Sequence, residues 1–119
     1  MTKKRYNLKR IKEIAGGDQN FVMDMLVTFV ENVSNEVERT LSLRPSENWT
    51  VIAEVAHKLA SNFAYLGAQS LHALAADIEK SILCDDNLIG IAEKVDQMCD
   101  ESILLVNQIK NDFQIESNK

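Results

Sequence analysis

The stretch FVMDMLVTFVENVSNEVERTL, residues 21–41, decides the fold. Phe21, Val22, Met25, Leu26, Phe29, Val30, Val33, Val37 and Leu41 recur at the 3.6-residue period and form one broad apolar stripe. A helix this long with one apolar face needs other helices to cover it. Upstream, Asp18 follows Gly16-Gly17 and is placed to cap this helix. The segment before it, YNLKRIKEIA, has two helical turns that end at the glycines. Downstream, Pro45 breaks the chain, and Ser46 or Asn48 starts a third helix that runs to about Tyr65. Gly67 permits a sharp turn. AQSLHALAADIEKSIL follows, with Leu71, Leu74, Ala75, Ile78 and Ile82 on one face. CDDN is a polar loop with capping residues, and a last helix carries Leu88, Ile91, Val95, Met98, Leu105, Ile109 and Phe113, with Gly90 in its first turns.

No segment alternates at period two for the length of a strand, and the short connections make neighbouring helices antiparallel. The expected architecture is all-α: an antiparallel up-down four-helix bundle with a short extra N-terminal helix. It forms one domain over residues 1–119, with the short helix at about 7–15 and bundle helices at about 18–43, 47–65, 68–83 and 87–114. The tail QIESNK is expected to fray.

Composition narrows the function classes. With 45% hydrophobic and 26% charged residues, the 119-residue chain is an ordinary globular domain with one modest core. A net charge of -5 argues against nucleic acid as a partner. The one basic cluster, TKKRYNLKR, is expected to be a solvated helix start. No apolar run approaches the roughly 18 residues a membrane span needs, and no apolar stretch backs the basic N-terminus as a secretory signal would. Cys84 and Cys99 are expected to be reduced, in a cytoplasmic protein. Met1 and the polar C-terminus fit a free-standing chain, expected to be a monomer.

The third helix holds the candidate site. On a wheel of about 100° per residue, Ile52, Val55, Ala56, Leu59 and Phe63 form its core stripe, and His57 lies about 130° from the stripe's centre. Its neighbours one and two turns away are Ala53, Glu54, Ala60, Ser61 and Ala64, four of them small. A solvated face has no need of alanine there. A face that another protein must approach closely does, so His57 is a candidate nucleophile in a clearing of small residues. On this reading Ala60→Glu would block the clearing and leave the fold intact.

AHKLASNFAYLGAQSLHALAADIEK, residues 56–80, resembles the signature of histidine-containing phosphotransfer (HPt) domains, which read Ala-His-x-Leu-Lys-Gly-Ser, then Leu-Gly-Ala, then a helix of Leu and Ala. Ala56, His57, Leu59, Leu66, Gly67, Ala68, Leu71, Leu74 and Ile78 match in type and spacing. The Gly-Gly-Asp step before the long helix and Asn48-Trp49 before the histidine helix resemble the family too, and the likeness covers roughly residues 6 to 110. The resemblance implies the same helical bundle and a phosphorelay carrier. His57 would accept a phosphoryl group from the aspartate of a response-regulator receiver domain and pass it to another receiver. A hybrid sensor histidine kinase would stand upstream. The Mg²⁺ would sit on the receiver, and this chain would need no cofactor. A neutral imidazole is a competent nucleophile near neutral pH, and phosphoryl transfer is mostly positioning and charge neutralisation. No Gly-rich loop or second domain resembles an ATP site, so the chain is expected to carry phosphate without kinase activity.

Two positions depart from the pattern. The family's lysine and glycine, three and four residues after the histidine, are Ala60 and Ser61 here. Ser61 keeps the steric part of the pattern and the charge part is lost. Lys58 is either a solvated surface lysine, the expected reading, or a partial substitute for that charge. The loss leaves an alternative open: a degenerate HPt-like module that binds receivers without transferring phosphate. Glu79, where the family often has a polar residue facing the histidine, either orients the imidazole or is a surface acid. His72 is expected to be a partly exposed bundle histidine, not a neighbour of His57. Trp49 is read as a packing residue at the helix start, and Met23, Met25 and Met98 as core filler or ordinary helix residues. His57, His72, Cys84 and Cys99 lack metal-ligand spacing.

Overall fold

The computed structural model describes residues 4–116. Five helices follow one another: α1 (Lys9–Ala15), α2 (Gln19–Leu43), α3 (Trp49–Tyr65), α4 (Gln69–Leu83) and α5 (Ile91–Phe113). No strand occurs among the described residues. α2 packs on α3 and α5, and α4 packs on the same two, so the four long helices form a closed antiparallel square; α1 lies against α2. The bundle measures 43 × 29 × 28 Å, and among the described residues no helix is long and apolar enough to cross a membrane.

α2 starts one residue after its cap: Asp18 Oδ1 accepts from the backbone N–H of Asn20 (3.0 Å) and Phe21 (3.2 Å). Its core line is Val22, Leu26, Val30, Val33 and Val37, extended by Thr40, whose buried hydroxyl donates to the Glu36 carbonyl at 2.8 Å. The stripe is narrower than the periodicity indicates. Phe21 (43% exposed) and Leu41 (47%) sit at its edges, and Phe29 lies over Tyr65 of α3 with ring centroids 5.4 Å apart. α3 begins at Trp49, capped by the Asn48 side chain accepting from Val51 N–H. The Trp49 ring packs half-buried on the core under the Arg44 guanidinium.

α5 departs most from its expected start. It begins at Ile91, not 87, because Gly90 takes a left-handed conformation (φ 71°) and Asn87 turns its side chain back to accept from Ile89 N–H at 3.2 Å. The CDDN loop therefore supplies no side-chain cap to α5, and Leu88 lies exposed in the loop outside the helix. At the other end the chain does not fray at once. Gln114 turns left-handed (φ 56°), and Ile115 N–H bonds the Lys110 carbonyl at 2.9 Å, which closes the helix. The rest of the tail expected to fray, residues 117–119, lies outside the described residues.

The basic N-terminal segment is a helix start only at its end, where the exposed Lys9 and Arg10 open α1; residues 4–8 before them form a strap, and Thr2 and Lys3 lie outside the described residues. Arg5 N–H donates to Gln108 Oε1 (2.7 Å), the buried Tyr6 donates its hydroxyl to Asp112 Oδ2 (2.6 Å), and Asn7 N–H donates to the Leu66 carbonyl (2.8 Å). The strap thus joins α5 to the α3–α4 turn. Asn7 Oδ1 also accepts from Lys9 N–H at 2.8 Å, just before α1, which starts at Lys9, not 7, with Leu8 at its N-cap. Where the strap crosses the turn, only glycine fits: Gly67 has φ 64°, and a Cβ there would lie 2.6 Å from both the Asn7 carbonyl oxygen and Asn7 Cβ. Both thiols are free, Cys84 exposed and Cys99 buried.

Two outcomes follow from these contacts. Gly67→Ala should lower stability by about 2–3 kcal/mol, since it adds left-handed strain to a backbone clash, whereas Gly90→Ala, in open space, should cost only about 1 kcal/mol; thermal melts of the two variants check this. Burial also pushes the Cys99 thiol from 9.0 up to about 11, and burial with the Asp112 hydrogen bond pushes the Tyr6 phenol well above its usual range. Both groups bind their protons more tightly in the folded chain. Stability is therefore whole below pH 9 and falls as pH rises from 9 towards 11, where the unfolded chain ionises first; urea midpoints at pH 8 and pH 10.5 should differ in that direction, less so in Cys99→Ala.

Candidate phosphoacceptor site

The seam between α3 and α4 carries the site. His57 stands in the middle of α3 with 68% of its side chain exposed, and its Nδ1 lies 2.9 Å from Glu79 Oε2 on α4, a carboxylate 30% exposed. An ionised carboxylate can only accept, so Nδ1 carries the hydrogen and donates it. That fixes the tautomer of the neutral ring, in which Nε2 keeps its lone pair. Side chains on a helix lean towards its N-terminus. In the antiparallel pair His57 leans one way and Glu79 the other, and they meet in the groove.

Of the residues expected around His57, Glu54, Lys58 and Ser61 are exposed and Ala64 is half-buried. Ala53 and Ala60 are not part of an open clearing. Ala53 is fully buried and Ala60 is 8% exposed. The reason is α4. On that helix Ala75 (0%) falls within about 60° of His72 and Glu79, the two residues that reach α3, and Ala68 (2%) is buried at its N-cap, so alanines from both sides fill the seam. Methyl-sized side chains let the two backbones approach. The small residues on this flank of His57 therefore serve the partner helix within the chain, and a bulky acid at position 60 enters a packed interface. The sequence offered one overlooked signal for this, alanine at helical spacing on two consecutive helices.

His72 was expected to be a partly exposed bundle histidine. It is exposed, and its Nδ1 lies 2.9 Å from the backbone carbonyl of Ala60. It and Glu79 thus bridge the same two helices, two α4 turns apart. Lys58 is exposed beside His57, and its carbonyl accepts from Asn62 Nδ2 at 3.0 Å. Among the described residues, no group of three or more His, Cys, Asp or Glu side chains is placed to hold a metal ion.

The family model of the Hpt domain matches residues 24–112, most of the chain. No curated protein and no solved structure matches it. The chain belongs to the Hpt domain family. Domains of this family are histidine phosphotransfer modules of two-component phosphorelays, carriers and not kinases, and they interact with receiver domains and kinases.

The burial pattern separates the seam from the surface. Ala53→Glu and Ala60→Glu should each destabilise the fold by about 2–4 kcal/mol, because each places a larger ionisable side chain into a filled interface. Ser61→Ala should stay within about 0.5 kcal/mol. Chemical denaturation of the three variants makes the comparison.

Proposed function

We propose that this chain is a phosphorelay carrier. It accepts a phosphoryl group on Nε2 of His57 from the phosphoaspartate of a receiver domain and passes it to the aspartate of another. The observation that carries this reading is the pairing of an exposed imidazole with a carboxylate on its Nδ1, 2.9 Å away.

The step balances as follows. The Nε2 lone pair attacks phosphorus, the P–O bond to the receiver's aspartate breaks, and its electron pair stays on the departing carboxylate. The ring keeps its Nδ1 hydrogen and so becomes positively charged on phosphorylation. Glu79 faces that charge and favours it electrostatically. In the reverse sense, a cationic ring is a good leaving group, so the phosphoryl group can move on to a second aspartate. The receiver brings the Mg²⁺ and the acidic residues that organise the phosphoryl oxygens. This chain presents a nitrogen at a fixed angle on a rigid helix and needs no cofactor or kinase activity of its own. Glu54, Lys58, Ser61 and Ala64 ring the histidine on the exposed side and meet the docked receiver, with Lys58 the nearest positive charge in sequence. A hybrid sensor histidine kinase supplies the phosphate upstream.

The buried Ala60 gives the receiver-binding alternative its footing: the position that carries lysine in the resembling signature has an 8% exposed methyl here. One experiment separates the two readings. Incubated with a phosphorylated receiver, the wild-type chain should acquire acid-labile, base-stable phosphate, and His57→Gln should acquire none while melting within about 2 °C of wild type, since the residue is exposed. Receiver binding without label would establish the non-transferring module instead, and neither binding nor label would reject both.

A further inference from the structure

The alanine seam raises a mechanical question. Interlocked large side chains resist sliding of one helix along another; methyl groups form shallow ridges and resist it weakly. The distance from His57 to Glu79 depends on that register, because a slide of one residue, about 1.5 Å, takes a 2.9 Å hydrogen bond out of range. Leu59, Phe63, Leu71 and Ile78 are buried in the common core, and along the alanine strip itself a directional contact indexes α4 against α3 more sharply than methyl groups do. At the turn end, Gly67 N–H bonds the Ala64 carbonyl and Ala68 N–H bonds the Phe63 carbonyl. Those bonds hold the start of α4. Glu79 is three helical turns further along.

We infer that His72 is the positioning residue for the phosphoacceptor: its hydrogen bond to the Ala60 carbonyl locks α4 in the register that brings Glu79 to His57 Nδ1. Three observations meet in this assignment. His72 stands between the turn and Glu79 on the strip of α4 that faces α3. Its partner is main chain, not side chain, so the bond fixes α3 itself at a point three residues from His57. The bond also survives either charge state of the imidazole, because Nδ1 donates to a carbonyl in the neutral Nδ1–H tautomer and in the cation alike. His72 does not touch the transferred group. It acts through Glu79, and Glu79 through the tautomer of His57. The inference rests on His57 being the phosphoacceptor for its consequence in transfer, but its geometric part does not.

The test uses the whole chain, with His72→Leu, which removes the donor, and His72→Gln, whose amide restores one. Position 72 is exposed, so folding is preserved in both variants and is checked by melting. The first readout is the nitrogen-15 spectrum of the His57 ring. Wild type and His72→Gln should hold the hydrogen on Nδ1, and His72→Leu should shift towards the Nε2–H form that free imidazole side chains favour. The second is the initial rate of phosphate acquisition from a phosphorylated receiver, expected to fall about tenfold in His72→Leu, with the receiver concentration at half-maximal rate unchanged, and to recover in His72→Gln. An unchanged His57 tautomer in His72→Leu overturns the inference, and so does a His72→Gln variant as impaired as His72→Leu, which would mark a packing role. If wild type takes no phosphate at all, the carrier reading fails while the nitrogen spectra still decide the role of His72.

Discussion

The close approach of α3 and α4 is the constraint on which the rest of the molecule depends. It is made possible by Ala53 and Ala60 on α3, Ala75 on α4 and Ala68 at the α4 N-cap, all buried. Because the two backbones are near, a glutamate on α4 can reach an imidazole on α3 without either leaving its helix, and a histidine ring can reach across to a carbonyl. Larger residues on this strip would bury more apolar area and hold the helices further apart. The seam exchanges some hydrophobic stabilisation for proximity. The other contacts of the bundle, where valines, leucines and isoleucines of α2 and α5 close the square, supply the core that keeps such a seam tenable.

The chemistry asked of this surface is small. A nucleophile for phosphoryl transfer needs a lone pair pointed outward, a means of bearing positive charge once it has reacted, and room for a docked partner. In the proposed carrier, His57 would have the first through its tautomer, the second through Glu79 and the third through its place on the exposed side of α3. None of this requires a pocket. A site of this kind differs from an enclosed active site in that the second protein supplies most of the charged groups.

The sequence carried the architecture well, and the reasons are visible in particular residues. The 3.6-residue period of α2 and α5, the Asp18 and Asn48 caps and the turn at Gly67 are local signals, and local signals survive folding. The start of α5 was misplaced because Asn87 can cap either a helix or its own loop, and Gly90 settles the matter only once its left-handed backbone is known. The basic N-terminus was read as a helix start because α1 follows it directly; the strap's partners, Asp112 and Leu66, are distant in sequence and leave no mark on the local pattern. At the site, a single helix wheel put His57 outside the core, where it is. It could not tell alanines that wait for another protein from alanines that meet the next helix, because the wheel of α3 contains no information about α4. Glu79 and His72 were visible only as candidates for the same reason.

The N-terminal strap has a bearing on how the molecule comes together in time. Tyr6 and Asp112, joined at 2.6 Å, stand 106 residues apart in the chain, while His57 and Glu79 belong to one hairpin whose helices are joined by a three-residue turn. Contacts of short sequence separation close early and cheaply in entropy, and those of long separation close late. On a growing or refolding chain, the pairing of His57 with Glu79 can therefore assemble before α5 has docked, and the strap is the last latch to fall. Its bond to the Leu66 carbonyl then stiffens from outside a hairpin that was already formed.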